Sequence, residues 1–209
     1  MINVIIVDDH PVVRRGLKQI INENNDMQVI GEAEKAHEAI DLLRRTECDV
    51  LVLDISLPGM SGIDLMKQLK QEYKKLPILI LSIHPEEQYA VRAMKAGASG
   101  YLTKESAPGE LVKALRKIVS GGKYVSSSLA ERLIADLEIS DRPPHERLSD
   151  REFEILLLIA SGKTTGEIAE KLCISVKTVS TYRARTLEKM NMSTNAEMIS
   201  YALKNKLIE

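Results

Sequence analysis

The sequence lacks the features that mark several large classes of protein. It has two cysteines among 209 residues, Cys48 and Cys173, with no CxxC pair and no histidine at metal-ligand spacing. We therefore expect two buried thiols and neither a disulfide nor a zinc framework. The most apolar runs, such as residues 4–7 and 77–81, are too short to span a bilayer, and the start lacks the basic and cleavable parts of a signal peptide. These absences predict a cytoplasmic protein.

A strong charge of one sign is missing as well. The chain has 29 Lys and Arg against 30 Asp and Glu, and its hydrophobic share of 44% is typical of a globular protein whose length allows two domains. The balance is uneven along the chain, because residues 177–189 hold four basic side chains against one glutamate. We expect an anionic partner to bind at this segment.

The first 120 residues alternate short β-branched apolar runs with longer amphipathic segments. Continuous apolarity is typical of parallel strands that are covered on both faces. A βα unit repeated five times predicts an α/β domain with a doubly wound, five-stranded parallel sheet, in which ligands bind beyond the carboxyl ends of the strands. The predicted strands are residues 4–7, 28–30, 50–53, 78–81 and 100–102.

The last third has no strand-like run but several signals for helix starts. Three hydroxyl residues precede a glutamate by three positions, which is the spacing of a capping box, and a further serine is a candidate cap. These residues are Ser149 with Glu152, Thr164 with Glu167, Thr194 with Glu197, and Ser175. They predict a small all-α domain with helices over residues 150–161, 165–172, 176–190 and 195–204.

Glycine and proline mark the connection between these two parts. Gly121 and Gly122 end the last helix of the first part, residues from Ser126 onward could form one helix, and Pro143 with Pro144 cannot continue it. We therefore predict domains at residues 1–120 and 147–209, joined by a partly helical linker at residues 121–146.

Five polar residues stand at the carboxyl ends of four predicted strands. These are Asp8, Asp9, Asp54, Ser82 and Lys104. Three carboxylates at one edge repel each other unless a cation joins them, and an all-oxygen site of this kind suits Mg²⁺. Lys104 and the Ser82 hydroxyl could bind the oxygens of an aspartyl phosphate. Each residue alone is more simply a cap, a turn residue or a solvated charge, but their joint placement favours a site.

Residues 1 to about 120 resemble the receiver domain of two-component response regulators. The motifs VDDH, LDISLPGMSG, ILS and GYLTK carry the resemblance. It implies a flavodoxin-like fold in which Asp54 is the phospho-acceptor and Asp8 and Asp9 are Mg²⁺ ligands. The other roles that it implies are a metal-binding carbonyl at Ser56, a switch hydroxyl at Ser82, a phosphate-binding lysine at Lys104 and a rotating switch aromatic at Tyr101.

The segment TTGEIAEKLCISVKTVSTYRARTLEKM has the form of a cap, a helix, a short turn, a second cap and a second helix. Apolar residues at helical spacing predict its inward positions, which are Ile168, Ala169, Leu172, Val179 and Leu187. The exposed face of the second helix then carries cations and short polar groups, as expected for a helix that enters the major groove of DNA.

Residues 148–207 resemble the LuxR-type helix-turn-helix of the NarL/FixJ family, through LSDRE, ASGKTTGEIAEKL and ISVKTVSTY. The family's common Lys-x-His reads Ser180-Thr181-Tyr182 here, a form similar to the GacA/UvrY-like branch, which leaves the recognised DNA sequence open. The resemblance implies base-facing positions at Ser180, Thr181 and Ala184, and phosphate-facing positions at Lys177, Thr178, Arg183 and Arg185.

Together the two resemblances imply a response regulator that is not an enzyme. A sensor histidine kinase or a small acyl phosphate must supply the phosphoryl group, because the chain has neither a Walker loop nor a kinase glycine loop. We expect phosphorylation of Asp54 to favour a homodimer that binds an inverted repeat in double-stranded DNA and controls transcription.

Two alternatives stay open at this point. A Mg²⁺-dependent phosphatase with an aspartate nucleophile would explain the carboxylates, but it would leave the C-terminal helices unexplained and usually carries an aspartate where Ser56 stands. A regulator whose helix-turn-helix contacts another protein is the second alternative, since basic residues on a helix are often only solvated.

Overall fold

The computed structural model describes residues 1–138 and 143–208. The chain forms two compact units, Met1–Asp136 and Leu137–Glu209. Within the described residues, none of the helices combines the length and the apolarity needed to cross a membrane.

The first unit alternates strands and helices. Its strands are β1 (Ile2–Val7), β2 (Met27–Ala33), β3 (Val50–Asp54), β4 (Ile78–Ser82) and β5 (Gly100–Thr103). Its helices are α1 (Pro11–Asn22), α2 (Ala36–Arg45), α3 (Gly62–Glu72), α4 (Glu86–Lys95) and α5 (Ala107–Val119), and α6 (Ser127–Glu138) begins in this unit. The structure confirms the five predicted strands and extends each of them by one or more residues.

The five strands form one parallel sheet in the order β2-β1-β3-β4-β5. Every residue of β3 and β4 is buried, as expected for central strands with helices on both faces. One core layer places alternate residues of β1, β3 and β4 against apolar residues of α1 and α5, including Leu17, Ile21, Leu111 and Leu115. In the sheet β2 lies on one side of β1 and β3 on the other, so the strand order reverses at β1 and a crevice opens at the carboxyl ends of β1 and β3.

The residues that follow α5 lie along the edge of β5. Gly121 has a φ of 88°, which lets the chain turn back after the helix. Tyr124 then pairs with Gly100 in parallel, and its backbone N–H donates to the Ser99 carbonyl at 2.9 Å. A Cβ at Gly100 would lie 2.8 Å from the Tyr124 carbonyl oxygen, so this close approach depends on glycine.

A helix inside the predicted linker is present as α6. The division between the two compact units also falls within residues 121–146. Residues 139–142, which belong to the same predicted linker and precede Pro143, lie outside the described residues. The proposed limits of the two domains themselves stay a prediction.

The second unit is helical over its described residues. A short 3-10 helix, Pro144–Arg147, precedes α7 (Asp150–Ala160), α8 (Thr165–Leu172), α9 (Val176–Met190) and α10 (Asn195–Lys204). The three predicted capping boxes start α7, α8 and α10, and the Ser175 side chain caps α9. The predicted inward residues are buried, from Ile168 and Val179 at 0% exposure to Leu187 at 9%.

The prediction of two buried thiols is wrong. Cys48 is only half-buried, and Cys173 is exposed. Cys173 ends α8 in the left-handed conformation, with φ 51° and ψ 44°, at the turn before α9. A residue at such a turn lies at the surface of the unit, and the following Ile174 contributes the apolar side chain there.

Candidate functional site

The carboxyl edge of the sheet brings together the acidic residues and the lysine that the sequence singled out. Asp8 and Asp54 are each only 1% exposed, although both are ionisable. Lys104 Nζ lies 2.7 Å from Asp8 Oδ2 and 2.7 Å from Asp54 Oδ2. The backbone N–H of Lys104 donates to the Ser82 carbonyl at 2.7 Å, which continues the pairing of β4 with β5. One ammonium group therefore bridges two buried carboxylates at the carboxyl ends of β1 and β3.

Burial and crowding set the ionisation of this site. Burial raises the pKa of Asp54; Lys104 lowers it in part, and nearby Asp8 raises it further. Burial by itself would lower the pKa of Lys104, but the carboxylates of Asp54 and Asp8 outweigh it and raise that pKa. Two carboxylates share one cation here, so a second positive charge would relieve the remaining repulsion.

The acidic residues fit a divalent cation that prefers oxygen ligands. Ligand atoms of Asp8, Asp9, His10 and Asp54 lie within 4.8 Å of one another. Among the described residues, buried Asp8 Oδ2 and Asp9 Oδ1 accept no hydrogen bond of good geometry, despite their nearby ion-pair partners. Carboxylate oxygens are suited to Mg²⁺, whereas a histidine nitrogen is not a usual ligand for it.

Two residues of this site were not predicted from the sequence. The His10 N–H donates to Asp8 Oδ1 at 2.8 Å, and Arg14 Nη1 donates to the Asp8 carbonyl at 2.6 Å. Arg14 is buried beside Leu17 and Ile21 on the inner face of α1. The sequence did contain a signal for Arg14, since it lies at helical spacing within the apolar stripe of α1. A buried arginine needs polar partners, so this position indicates a polar site nearby. Arg14 thus holds the backbone that presents Asp8.

Ser82 and Tyr101 both contact the main chain of His84. The Ser82 side chain is buried, and its Oγ accepts a hydrogen bond from the His84 N–H at 3.0 Å. Tyr101 is also buried, and its hydroxyl donates to the His84 carbonyl at 2.8 Å. The two predicted switch residues therefore meet at the loop between β4 and α4, so a shift of that loop would affect both.

The turn after β3 holds Asp54 through backbone contacts. The Ser56 N–H donates to Asp54 Oδ1 at 3.1 Å, and the Gly62 N–H donates to the Ile55 carbonyl at 2.7 Å. A Cβ on Gly62 would lie 2.0 Å from the Asp54 carbonyl oxygen. Only glycine allows the start of α3 to pack this close to the end of β3.

The exposed side of α9 forms the second candidate site. Five of the predicted DNA-contact residues are exposed there, whereas Thr178 and Arg183 are half-buried. The exposed residues are Lys177, Ser180, Thr181, Ala184 and Arg185. Thr178 lies next to the Ser175 cap, with 2.8 Å between the two hydroxyl oxygens. The helix therefore presents short polar groups flanked by cations, which suits the edges and backbone of a nucleic acid.

A charged contact fastens α9 to the start of α7. Lys189 Nζ lies 2.7 Å from Glu152 Oε2, and the same oxygen accepts from the Ser149 N–H at 2.8 Å in the capping box. Burial would raise the pKa of Glu152, but Lys189 and Ser149 outweigh it and lower that pKa. The carboxylate thus stabilises the packing of the two helices as well as the helix start.

Replacing Glu152 with glutamine should therefore destabilise the second unit by about 1 to 2 kcal/mol at neutral pH. Because the folded pKa is depressed, the contribution is present above the unfolded value of 4.5 and is lost as pH falls through the folded pKa. Urea unfolding followed by circular dichroism at neutral and acidic pH measures this difference. Glu188→Gln, at an exposed position of α9, is the control and should change little. A Glu152→Gln deficit that persists in acid would contradict the assignment.

Two known families match the chain in the order of its two units. Residues 4–116 match the response regulator receiver domain. Residues 146–202 match the bacterial regulatory proteins of the luxR family. The two matches account for both halves of the chain, which the phosphatase alternative does not.

Relatives share this arrangement over their whole length. The chain is 35% identical to response regulator UvrY of Escherichia coli strain K12, covering 99% of this chain and 96% of UvrY. It is 38% identical to the oxygen regulatory protein NreC of Staphylococcus epidermidis, covering 99% of each protein. A solved structure of RcsB from Salmonella enterica serovar Typhimurium, bound to promoter P1flhDC in the presence of the phosphomimetic BeF3−, has 32% identity and a TM-score of 0.67, covering 99% of this chain and 98% of RcsB.

The carboxylate pocket, the exposed helix and the two family matches all point to one architecture. The chain belongs to the two-component response regulators of the NarL/FixJ family, in which a receiver domain is joined to a LuxR-type helix-turn-helix DNA-binding domain.

Proposed function

We propose that Asp54 accepts a phosphoryl group from a sensor histidine kinase or a small acyl phosphate, and that this modification favours a homodimer that binds DNA and controls transcription. The observation that carries the proposal is the Lys104 ammonium group held 2.7 Å from both Asp54 and Asp8. A lysine in this position pairs with the negative carboxylate before the transfer and can pair with the negative phosphoryl group after it.

The transfer takes place between a phosphodonor and the residues of this pocket. A carboxylate oxygen of Asp54 attacks the phosphorus, forming the new P–O bond. The P–N bond of a phosphohistidine, or the P–O bond of an acyl phosphate, breaks, and its electron pair leaves with the donor. Lys104 then pairs with an oxygen of the phosphoryl group, and the Ser82 hydroxyl donates to another. Apart from the attack by Asp54, the chain contributes positioning and charge neutralisation to the step.

Mg²⁺ is the proposed cofactor. Its charge would neutralise that of the incoming phosphoryl group. The proposed ligands are the carboxylates of Asp8, Asp9 and Asp54 and the backbone carbonyl of Ser56. The support for the three carboxylates is their closeness, since their ligand atoms lie within 4.8 Å of one another.

Ser82 and Tyr101 are the proposed switch. If Ser82 Oγ turns to the phosphoryl group, it gives up the hydrogen bond from the His84 N–H. The loop that contains His84 can then shift, and with it the His84 carbonyl that accepts the hydrogen bond from the Tyr101 hydroxyl. The output is a shift between two populations. A change from 1:99 to 99:1 would require about 5.5 kcal/mol of differential stabilisation, so we expect a partial switch.

For the DNA complex we propose Ser180, Thr181 and Ala184 as base-facing residues. The proposed phosphate contacts are Lys177, Thr178, Arg183 and Arg185. Two copies would bind an inverted repeat with half-sites about one turn of DNA apart. The receiver would comprise residues 1–120, the linker 121–146 and the DNA-binding domain 147–209. DNA as the target also supports action in the cytoplasm.

The test measures DNA retention and molecular mass with and without a small acyl phosphate and Mg²⁺. We expect the donor to increase both the dimer fraction and the retention of duplex DNA. A sensor-independent acyl phosphate tests the receiver itself, because no kinase needs to be identified. The donor-treated protein must first be shown to be fully phosphorylated. If its molecular mass and its retention of DNA then equal those of the untreated protein, the proposed switch is refuted.

A salt titration distinguishes the proposed contacts with DNA phosphates from those with DNA bases. Lys177→Ala should weaken binding to all duplexes alike. The slope of the logarithm of the binding constant against the logarithm of the salt concentration should become shallower by about 0.9 for each phosphate that is no longer neutralised. Ser180→Ala should leave the slope unchanged and alter the preference among duplexes. If Lys177→Ala and the wild type show the same slope, Lys177 is only a solvated side chain of α9.

A further inference from the structure

One contact joins the proposed recognition helix to the helix that follows it. Arg183, in α9, donates from its Nε to Oδ1 of Asn195 at 2.6 Å, and both residues are half-buried. Asn195 is the first residue of α10. Because an arginine Nε can only donate, the accepting atom of Asn195 must be its carbonyl oxygen.

This hydrogen bond leaves the outer end of the guanidinium group available. Arginine has five N–H donors in a planar fork, and Nε supplies only one of them. The two Nη atoms can then bind two oxygens of one phosphate group, a geometry that favours arginine over lysine. A side chain already held at Nε also loses less conformational entropy when it binds.

The charge of Arg183 is not neutralised within the part of the chain that the structure describes. Its described hydrogen bond goes to the neutral amide of Asn195. Lys189, on the same helix, differs in this respect because its ammonium group pairs with Glu152 at 2.7 Å. Asn195 therefore orients a cation and leaves its full charge for a partner.

Several donors around the start of α10 are already occupied within the chain. The Thr194 side chain accepts from the Glu197 N–H at 3.2 Å, and the Glu197 carboxylate accepts from the Ser193 and Thr194 N–H groups. The Glu197 carboxylate is itself negative. For an anion beside this helix start, the Arg183 side chain therefore supplies the positive charge.

We propose that Asn195 is a positioning residue for DNA binding, which holds Arg183 so that its two Nη atoms bind one phosphate of the DNA backbone beside α9. The inference rests on the proposed function and deepens it, since it adds a residue outside the recognition helix. The neutral carbonyl of asparagine is essential to this role, because an acidic side chain in its place would neutralise the cation.

The decisive variant is Asn195→Asp. Aspartate has nearly the same shape, and a negative charge in the first turn of a helix is favourable, so the unfolding temperature should stay equal or rise. DNA affinity should nevertheless fall about tenfold, because the new carboxylate would neutralise the Arg183 charge and remove a charge-assisted hydrogen bond to phosphate. The salt slope should fall by about 0.9 for each phosphate that is no longer neutralised, as in Arg183→Ala.

Two further variants separate positioning from other roles. Asn195→Ala should weaken binding about threefold in the wild-type background and have no effect in an Arg183→Ala background, because the two residues act as one unit. Ser200→Asp adds the same charge at an exposed position of α10 and should leave the affinity nearly unchanged. The probe is a duplex selected by the full-length, phosphorylated wild type from a random-sequence library.

The outcomes distinguish this inference from the proposed function. If the wild type binds DNA and Asn195→Asp binds it with the same affinity and the same salt slope, the inference alone is overturned. An equal loss of affinity from Asn195→Ala in both backgrounds would also overturn it, since Asn195 would then act without Arg183. Wild-type protein that selects no duplex would overturn the proposed function and the inference with it.

Discussion

Asp54→Asn should abolish phosphorylation by an acyl phosphate while preserving the fold. An asparagine amide has nearly the shape of the carboxylate but lacks the nucleophilic oxygen that forms the new P–O bond. The donor-dependent increases in dimer fraction and DNA retention should disappear with it. Intact-protein mass spectrometry measures the incorporation of one phosphoryl group per chain. Full incorporation in the variant would mean that another residue is the acceptor.

The same variant should be more stable than the wild type when no divalent cation is present. The pKa of Asp54 is raised in the folded protein, chiefly by burial. An acid with a raised folded pKa lowers stability as pH rises from its unfolded value of 3.8 through the folded pKa. Removing the charge removes this loss, so the unfolding temperature of Asp54→Asn should be higher at neutral pH in the presence of a chelator.

Mg²⁺ should reverse the order of stability. A ligand that binds only the folded state adds about 2.7 kcal/mol to the free energy of unfolding when its concentration is one hundred times its dissociation constant. The wild type should gain this stabilisation, and Asp54→Asn should gain much less because it has lost one proposed ligand. Thermal unfolding with Mg²⁺ and with a chelator tests the metal site without any phosphodonor. An equal Mg²⁺ effect on both proteins would count against Asp54 as a ligand.

Gly62→Ala should destabilise the first unit by about 3 kcal/mol or more, or prevent it from folding. The added Cβ would lie 2.0 Å from the Asp54 carbonyl oxygen and 2.9 Å from the Ile55 Cα. Both neighbours are backbone atoms, so relief requires movement of the turn between β3 and α3. That movement would displace Asp54, so any variant protein that folds should also be phosphorylated slowly.

Gly16→Ala is the matched control for this prediction. Gly16 lies within α1, and a Cβ there would meet nothing within 4 Å. Alanine in a helix interior should therefore stabilise the protein by about 0.5 to 1 kcal/mol. Urea unfolding followed by circular dichroism compares the two variants. Similar stabilities for Gly62→Ala and the wild type would contradict the close approach of α3 to β3.

The pocket could be predicted because its residues follow strands whose pattern is clear. The runs before Asp8, Asp54 and Ser82 are apolar and β-branched, so their positions in the chain could be predicted. The helix starts of the second unit were equally clear, because Ser149, Thr164 and Thr194 have their glutamates at capping distance. Local patterns of this kind depend on neighbours in the sequence, and they were confirmed.

Side-chain contacts between one element and the next were not predictable in the same way. Arg14 reaches the Asp8 carbonyl from α1, and Arg183 reaches Asn195 across a helix boundary. Each of these side chains has several rotamers and several partners within reach. Only packing selects one of them, because the choice depends on which elements lie side by side.

The amino-acid sequence by itself determined the class of each unit, the family and the acidic residues at one edge of the sheet. Hydrophobic periodicity, helix caps and motifs involve residues that are close in the sequence, so they can be recognised without a structure. The tertiary structure decided that Lys104 bridges Asp8 and Asp54, that position 62 must be glycine, and that Cys173 is exposed. These facts depend on how elements pack against one another, which the local sequence pattern does not specify.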